Sequence, residues 1–306
     1  MGALDEIRTA VQEVGNRVGP SVVSVGRAGS GVVIGPGLVA TNAHNLRAEE
    51  MPVDFADGRS EKGRVAAVDA DADLAVLAVE TGSAPAVEWG SELPETGAVV
   101  FAVARPAGGP ARVTFGTVSA VDREFRGPRG RRIAGSVEHT APLARGSSGG
   151  PLADAGGRVL ALNTHRLGDG FYLGLPADQA LTERLAALAR GEAPRRARLG
   201  VAIAPPHVAR RLRAAVGLEP RDGLLVRGVE EGSAAQRAGL RQGDLIVAVA
   251  GTAVTGADDL HQALDGAGPD GSLELRVVRG GDEVTVVVAL GPDGGGHEGA
   301  AHEGTA

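Results

Sequence analysis

The feature of this sequence that most restricts its fold is a series of short apolar runs, rich in β-branched residues, between Ser21 and Leu175. Glycine, proline and aspartate separate the runs, a pattern typical of β-strands joined by turns. The runs are Val22–Val25, Gly31–Ile34, Leu38–Thr41, Val65–Val68, Leu74–Val79, Val99–Val103, Val113–Val118, Val159–Leu162 and Tyr172–Leu175. Their spacing predicts an all-β domain of the barrel or sandwich type. Aromatic residues make up only 2% of the chain, so its cores must be built from aliphatic side chains.

The segments around this β-rich region have other patterns. Residues 1–18 carry apolar side chains at helical spacing before Gly19-Pro20, which predicts an N-terminal amphipathic helix. Residues 177–190 predict a second helix, and residues 191–198, with one proline and several arginines, predict a linker. A second domain is expected over residues 199–290. The glycine-rich residues 291–306 predict a disordered tail.

The stretch Gly146-Ser147-Ser148-Gly149-Gly150-Pro151 predicts a turn too tight for most side chains. Such a turn exposes a serine hydroxyl and aims the N–H groups of Gly146 and Ser148, with Ser147 between them, at one point where an oxyanion would form. Ser148 is the better nucleophile candidate than Ser147, because a glycine lies two residues before it and two glycines follow it. Taken alone, the stretch is explained equally well as an ordinary glycine-serine loop.

Two other residues lie at the ends of apolar runs. Thr41-Asn42-Ala43-His44 closes a strand, where a histidine can be held rigidly with one face open, as a general base requires. Asp73 directly precedes Leu74 and can orient an imidazole, although Asp69 and Asp71 compete with it on spacing alone. His139 lies near the serine turn in sequence but follows no comparable strand end.

The chain order His44, Asp73, Ser148 is that of chymotrypsin-type barrels. Hydrolases built on Gly-x-Ser-x-Gly run Ser, Asp, His instead. An α/β-hydrolase esterase is disfavoured by this order and by the lack of alternating strands and helices.

Together these motifs resemble the HtrA/DegP family of serine proteases, in which a trypsin-like domain is fused to PDZ domains. The segments Gly116–Ala120 and Gly157–Thr164 also fit that family's pattern. The resemblance implies a mainly β chain, with a chymotrypsin-like double β-barrel over residues 19–190 and a small α+β PDZ domain over residues 199–290. It implies an ATP-independent serine endopeptidase that cleaves unfolded or misfolded proteins and requires no metal or other cofactor.

The resemblance also assigns roles to single residues. His44 is implied as general base, Asp73 as the residue that orients it and Ser148 as nucleophile. An oxyanion hole is implied at the turn of Gly146, Ser147 and Ser148. Substrate-binding residues are implied at Pro142, Asn163, Thr164 and His165, the last three as a strand to which substrate adds. Because the wall near Pro142 carries no acid, small or aliphatic side chains are expected before the scissile bond.

Several residues depart from the pattern of the family. Asn45 follows the histidine where an apolar residue is usual, and Ser147 replaces an asparagine. Arg145 stands in place of a proline, and Arg105 in place of the asparagine of an Asn-Pro-Phe-Gly segment. These changes leave a second hypothesis open, a non-hydrolytic chaperone or peptide-binding scaffold on the same folds.

In the second domain the resemblance implies that Leu199-Gly200-Val201-Ala202 forms a loop whose amides cradle a peptide C-terminus. Leu260 and Leu264 would then form the wall of an apolar pocket. For these leucines, burial in the core is a competing interpretation. Ser233 is predicted to cap a short helix.

Composition limits the partners of the chain. The net charge of -7 gives no basic field for nucleic acid, and the absence of cysteine excludes disulfides and thiolate metal sites. No apolar run reaches the length of a membrane span, and the first residues lack the apolar stretch of a signal peptide. A cytoplasmic location is therefore expected, or an extracytoplasmic one if a native leader is missing from the sequence. The resemblance implies a homotrimer, although the N-terminal aromatic residues that the family uses for trimer packing are absent.

Overall fold

The computed structural model of the protein describes residues 2–27, 29–107, 109–127, 132–194 and 197–291. The chain forms two compact units, Met1–Pro194 and Arg195–Ala306. The tail predicted over residues 291–306 lies outside the described residues except for Gly291. Two residues of the predicted linker, 195 and 196, lie outside them as well.

The predicted N-terminal helix is present as α1, Ala3–Val18. Asp5 and Glu6 lie in its first turn, where negative charge interacts favourably with the helix dipole. Val14 and Val18 are buried against Phe101 and other residues of the first unit. None of the helices in the described part of the chain is long and apolar enough to cross a bilayer.

The first unit contains a closed barrel of six antiparallel strands in the order β1-β2-β3-β6-β5-β4. The strands are β1 Val22–Val25, β2 Gly29–Gly35, β3 Leu38–Thr41, β4 Glu50–Asp54, β5 Ser60–Asp69 and β6 Leu74–Ala78. Strands β3 and β6 pair so that Thr41 lies opposite Ala75. The residues that follow β3 and those that precede β6 therefore lie at the same end of this barrel.

A second closed barrel follows, in the order β10-β11-β12-β9-β8-β7. Its strands are β7 Val99–Ala104, β8 Arg112–Arg126, β9 Arg132–His139, β10 Pro151–Ala153, β11 Val159–Gly168 and β12 Phe171–Pro176. Pro151 pairs with Leu162, which places the turn before β10 beside the middle of β11. Helix α2, Gln179–Ala189, begins after Asp178, whose side chain caps it, and buries Leu181, Leu185 and Leu188.

Strands β4, β9 and β10 were not predicted. Strand β4 contains Pro52, which argues against a strand, yet Met51 and Val53 alternate into the core. Strand β9 mixes polar with apolar residues and contains Gly135, and β10 has only three residues. Their pairing with distant strands holds all three in place, and no short-range pattern reports such pairing.

The second unit is a sheet in the order β13-β14-β15-β17-β18, with β16 paired to β15. Its elements are β13 Val201–Ala204, α3 Pro206–Ala215, β14 Leu224–Val229, α4 Ala234–Arg237, β15 Leu245–Val249, β16 Thr252–Ala253, α5 Ala257–Ala267, β17 Ser272–Arg279 and β18 Asp282–Ala289. The predicted cap is confirmed, since the side chain of Ser233 accepts from the Gln236 amide. Helix α3 was not predicted; Pro206 occupies its first position, where proline is favoured because its missing N–H would have no partner in the helix. The predicted mainly β fold class, a double barrel followed by a small α+β unit, is confirmed.

Candidate active site

His44 and Asp73 meet at the shared end of β3 and β6. His44 lies in a 3₁₀ turn, Ala43–Asn45, directly after β3. Asp73 has a φ of 56°, a left-handed conformation that costs energy for most residues and is better tolerated by aspartate. The Asp73 carbonyl oxygen accepts from the Asn42 side chain at 3.0 Å and from the Ala43 amide at 3.2 Å. The strained residue is thus fixed by the segment that carries the histidine.

The imidazole of His44 is bonded to a buried carboxylate. Its Nδ1 lies 2.8 Å from Oδ2 and 3.0 Å from Oδ1 of Asp73, and its backbone amide donates to Oδ1 at 3.1 Å. The Asp73 side chain is 2% exposed and that of His44 is 34% exposed. Because Nδ1 faces a carboxylate, it carries the proton, and Nε2 is left as an acceptor. A histidine in this state has the form that a general base needs.

The competing aspartates have other environments. Asp69 is buried and accepts from the Ala72 amide at 3.1 Å, so it stabilises the turn that leads to Asp73. Asp71 is half-buried in the same turn. Of the three carboxylates, the structure places that of Asp73 against His44.

Thr164 connects this pair with the serine. Its hydroxyl donates to Oδ2 of Asp73 at 2.6 Å, and its carbonyl oxygen accepts from the Ser148 hydroxyl at 3.1 Å. Among the described residues no hydrogen bond joins Ser148 to His44; in unliganded catalytic sites such contacts are often long. Sequence reasoning placed Thr164 on the substrate strand and missed its bond to Asp73. The sequence feature that could have indicated this bond is a threonine close to the end of the apolar run Val159–Leu162.

The turn before β10 has the conformation that its glycines allow. Gly146 and Gly149 have φ values of 85° and 86°, and a Cβ on Gly149 would lie 2.2 Å from the Ser30 carbonyl oxygen. The Ser147 amide donates to the Ala144 carbonyl at 3.3 Å. Within the described residues, the amides of Gly146 and Ser148 donate to no protein group. The turn therefore offers two free N–H groups, and Ser147, predicted as part of the oxyanion hole, contributes none.

Asn45 adds a connection between the two barrels. Its side chain is buried and donates to the Ser148 carbonyl oxygen and to the Thr41 hydroxyl, both at 2.9 Å. The amide of Ser30 donates to the same Ser148 carbonyl at 2.8 Å. Thus the residue that departs from the family pattern ties the histidine-bearing turn to the serine-bearing turn.

Arg105, another departure, is buried beneath the serine turn. Its Nε donates to the Val22 carbonyl at 2.8 Å, and burial lowers the pKa of its guanidinium. Its amide donates to the Ser30 hydroxyl, which in turn donates to the Gly146 carbonyl at 2.7 Å. Arg105 is thus connected through Ser30 to the serine turn and helps to hold it in place.

The predicted substrate-binding residues differ in what their groups contact. Asn163 is buried, and its backbone exchanges hydrogen bonds with the amide of Gly149 and the carbonyl of Gly150. His165 is exposed and its ring stacks on Phe125, with centroids 5.5 Å apart. Pro142 is exposed on the loop before the turn. Since β10 pairs with β11 only as far as Leu162, the edge of β11 that faces the cleft becomes free after Asn163.

His139, at the end of β9, is fully buried below the turn. Its Nε2 lies 2.9 Å from Oδ1 of Asn163, and its ring stacks on Tyr172. Burial lowers the pKa of His139 to about 4, although the Asn163 bond favours the charged form. Within the described residues its Nδ1 has no partner. The histidine is therefore neutral near pH 7 and closed to substrate.

Among the described residues of the second unit, β13 is an edge strand and pairs only with β14. Gly200 has a φ of 75°, and the carbonyls of Leu199 and Gly200 are bonded to the amides of Ala235 and Glu230. Of the predicted groove residues, Val201 is partly buried and Ala202 is exposed. Leu199, Leu260 and Leu264 are buried in the core of this unit. The competing interpretation of the two helix leucines, burial in the core, describes their position in the structure.

Comparison with known proteins identifies both units. A family model described as trypsin-like peptidase domain matches residues 29–162, and one described as PDZ domain matches residues 225–279. The chain is 32% identical over 271 residues to a probable periplasmic serine endoprotease DegP-like of Halomonas elongata, covering 86% of this chain and 56% of that protein. It is 33% identical over 274 residues to the putative serine protease HhoA of Synechocystis sp., covering 85% of this chain and 69% of that protein. The chain thus spans little more than half the length of the first of these relatives.

Solved structures with a similar fold include HtrA-type proteases. The HtrA-type protease AlgW with a decapeptide has a TM-score of 0.62 at 23% identity, covering 92% of this chain and 98% of that one. The same protease with a tripeptide has a TM-score of 0.57 at 27% identity, covering 93% of this chain and 99% of that one.

The names of the relatives correct one expectation. Proteins similar to this chain in Halomonas elongata and Chlamydia pneumoniae are named periplasmic, which contradicts the cytoplasmic location expected from the sequence. That expectation was wrong because it gave weight to the missing apolar stretch in the first residues, which does not determine the compartment of a chain. The double barrel, the PDZ unit and the similarity to HhoA agree with the resemblance found in the motifs. This chain belongs to the HtrA/DegP family of serine proteases.

Proposed function

We propose that this chain is an ATP-independent serine endopeptidase that cleaves unfolded or misfolded proteins, with Ser148 as nucleophile, His44 as general base and Asp73 as its orienting residue. The observation that carries the proposal is the contact of 2.8 Å between Nδ1 of His44 and the buried carboxylate of Asp73, next to a serine in a glycine turn. A buried carboxylate bonded to Nδ1 fixes the orientation of the half-exposed imidazole and leaves Nε2 facing outward as an acceptor.

In the proposed reaction, Ser148 turns its hydroxyl from the Thr164 carbonyl towards Nε2 of His44. The imidazole takes the hydroxyl proton as Ser148 attacks a peptide carbonyl, and Asp73 stabilises the imidazolium that forms. The free amides of Gly146 and Ser148 donate to the oxyanion of the tetrahedral intermediate. His44 then passes its proton to the leaving amine, and a water molecule, activated by the same base, hydrolyses the acyl-enzyme.

Substrate is proposed to bind as a strand added to the free edge of β11 beyond Asn163, at Thr164 and His165. Main-chain hydrogen bonds supply most of the affinity in this mode, so it accepts many sequences provided that they are extended. Folded proteins do not present such segments, which makes unfolded chains the substrate class. Pro142, in the loop that precedes the serine turn, is proposed to contact the substrate side chain before the scissile bond.

The second unit is proposed to bind peptide C-termini. Amides of the loop around Gly200 would hold the carboxylate, and a peptide would pair with the edge strand β13 at Val201 and Ala202. Leu260 and Leu264, although packed in the core, form part of α5, which is proposed to contact the last side chain of the peptide. Support comes from HtrA-type AlgW, whose structures are described with a decapeptide and with a tripeptide.

We also propose an extracytoplasmic location and a homotrimer. The first is supported by the periplasmic names of the relatives. The second is supported only by the family to which the chain belongs.

Labelling by a fluorophosphonate and hydrolysis of casein test the protease proposal. Wild type and Ser147→Ala are expected to label and to degrade casein, and Ser148→Ala to do neither. The neighbouring serine is a matched control because its replacement keeps the backbone of the turn. Labelling that persists in Ser148→Ala would refute the assignment of the nucleophile.

One observation favours a second candidate, a non-hydrolytic chaperone or peptide-binding scaffold, namely that the Ser148 hydroxyl is bonded to Thr164 and not to His44. This candidate predicts that wild type protects an aggregating client protein while neither labelling nor proteolysis is detected. Light scattering of the client, measured beside the labelling assay, distinguishes the two.

Peptide binding by the second unit is tested on full-length Ser148→Ala. A peptide that ends in an apolar residue with a free carboxylate is expected to bind, and the same peptide with an amidated C-terminus is expected to bind at least about tenfold more weakly, because one charged contact is lost. Equal affinity for both peptides would contradict carboxylate recognition at Gly200.

A further inference from the structure

The side chain of Arg166 bridges two segments that border Ser148. One segment is β11, where Thr164 contacts the Ser148 hydroxyl and Arg166 follows two residues later on the free edge of the strand. The other segment is the loop that precedes the serine turn. The Arg166 guanidinium donates to the Leu143 carbonyl in that loop, so it spans from one segment to the other. A cation held between these two segments is within reach of a substrate side chain that binds between them.

The cation has a fixed support. The guanidinium carbon of Arg166 lies 5.2 Å from the centroid of the Tyr172 ring, an arrangement that is attractive for a cation over an aromatic face. Tyr172 is buried and stacks in turn on His139, with centroids 5.7 Å apart. The buried histidine is neutral near pH 7, because burial lowers its pKa to about 4. This stack therefore holds the guanidinium without adding a second charge.

In the part of the chain that the structure describes, no carboxylate lies at ion-pair distance from this cation. Several other arginines form ion pairs with acids of the chain, as Arg158 does with Asp154. Glu138, on strand β9 beyond β12, is already bonded to Arg123 at 3.0 Å and to the Ser119 hydroxyl at 2.8 Å. Within the described residues, neither Arg166 nor Arg145, which precedes the oxyanion turn and is exposed, has a carboxylate at ion-pair distance. A chain with a net charge of -7 thus keeps unpaired positive charge beside Ser148.

We propose that Arg166 is a specificity-determining residue that selects glutamate or aspartate immediately before the scissile bond. Several N–H groups of its guanidinium remain free to donate to a substrate carboxylate, and charge-assisted bonds of this kind are stronger than neutral ones. The inference rests on the proposed protease function and deepens it. It replaces the expectation of small or aliphatic side chains, which rested on the absence of an acid in the wall and did not include the cation.

The test begins with cleavage sites in unfolded casein, mapped by mass spectrometry. The best site is then made as a set of fluorogenic peptides that differ only in the residue before the scissile bond, namely Val, Gln, Glu or Lys. We expect wild type to cleave the Glu peptide with a kcat/KM about tenfold above that of the Gln peptide at low salt. The ratio is expected to fall towards one as ionic strength rises, because an exposed charge pair is screened.

In Arg166→Gln, the kcat/KM of the Glu peptide is expected to come close to that of the Gln peptide. Arg166→Glu is expected to cleave the Lys peptide with a higher kcat/KM than the Glu peptide. Arg64→Gln is the matched control, because Arg64 is 76% exposed on β5 of the other barrel; it is expected to keep the wild-type ratio. The ratio of two peptides on one enzyme preparation does not depend on how much of a variant is folded, and the salt series on wild type needs no variant.

Two results would overturn the inference while leaving the protease intact. One is equal cleavage of the Glu and Gln peptides by wild type. The other is a preference for the Val peptide that Arg166→Gln does not change. That result would show that the charge of Arg166 does not select the substrate side chain. Failure of every peptide together with no fluorophosphonate labelling is a different outcome, because it removes the proposed protease function itself.

Discussion

The two barrels of the first unit each present one histidine bonded to a neighbouring polar side chain, and the two histidines behave in opposite ways. His44 contacts the carboxylate of Asp73 at 2.8 Å, whereas His139 contacts the amide oxygen of Asn163 at 2.9 Å. One ring is partly open to solvent and the other is fully buried. The distances are alike, so the charge of the partner and the access of water account for the difference.

Consecutive residues of β11 serve the two histidines. Asn163 bonds His139, and Thr164 donates to the Asp73 carboxylate that orients His44. Because successive side chains of a strand point to opposite faces, one short segment can support the buried histidine on one side and the reactive histidine on the other. A histidine with a neutral partner and no water is structural, while one with a charged partner and an open face is able to exchange a proton.

The largest effect on activity is expected when the His44–Asp73 pair is changed to resemble the His139–Asn163 pair. Asp73→Asn places an amide against Nδ1 of His44, which favours the tautomer with the proton on Nε2 and removes the base. We expect kcat to fall about 10⁴-fold, the size typical of this change in His-Asp-Ser triads. Initial rates on a cleaved peptide measure it, with circular dichroism as the check of folding. Asp71→Asn, in the same turn, should retain activity, and a loss below tenfold in Asp73→Asn would place the orienting role elsewhere.

The second test uses the pH dependence that the buried histidine imposes on stability. The pKa of His139 is lowered to about 4 in the folded chain, against an ordinary value near 6.5. Between these values the unfolded chain binds more protons, so the free energy of unfolding rises with pH and falls on acidification. From above pH 6.5 to pH 4 the loss attributable to His139 is about 3 kcal/mol.

Urea denaturation between pH 4 and pH 7.5, followed by the fluorescence of Trp89, reports on this unit, because Trp89 is the only tryptophan of the chain. The difference in unfolding free energy between wild type and His139→Gln isolates the histidine from the carboxylates that titrate in the same range. That difference should change by about 3 kcal/mol across the window. A difference that is independent of pH would show that His139 is not held neutral by burial.

The two histidines also show what sequence alone can and cannot reveal. His44 was found because Thr41-Asn42-Ala43-His44 ends an apolar run, and Asp73 because it begins another; both signals are local. The bond between His139 and Asn163 depends on β12 pairing with both β9 and β11, which places Tyr172 opposite His139 and Gly174 opposite Asn163. Such register between distant strands leaves no mark in a single sequence.

The dependence on pairing between distant segments also explains why other strands and contacts were not predicted from the sequence. Strands β4, β9 and β10 are polar, short or interrupted by proline or glycine, and they form strands only because neighbouring strands pair with them. Asn45 was noticed as a departure, but its bond to the Ser148 carbonyl joins residues 103 positions apart. The cation at Arg166 and the hydroxyl of Thr164 likewise act through residues far away in the sequence. Local patterns therefore located the reacting groups, and tertiary pairing supplied the groups that hold them.

The smallest effect on kcat is expected at Thr164, which lies on β11 beside Asn163 and bonds the partner of His44. Thr164→Val removes the bond of 2.6 Å to Oδ2 of Asp73 while keeping the shape and the backbone of β11. The carboxylate then loses one of the donors that fix its orientation, and we expect kcat to fall about tenfold, equivalent to about 1.4 kcal/mol, with KM little changed. Thr164→Ser restores the hydroxyl and should restore kcat, which a purely structural role of the side chain would not explain. If Thr164→Val instead raises KM and leaves kcat unchanged, Thr164 acts on substrate through the strand edge and not on the histidine pair through Asp73.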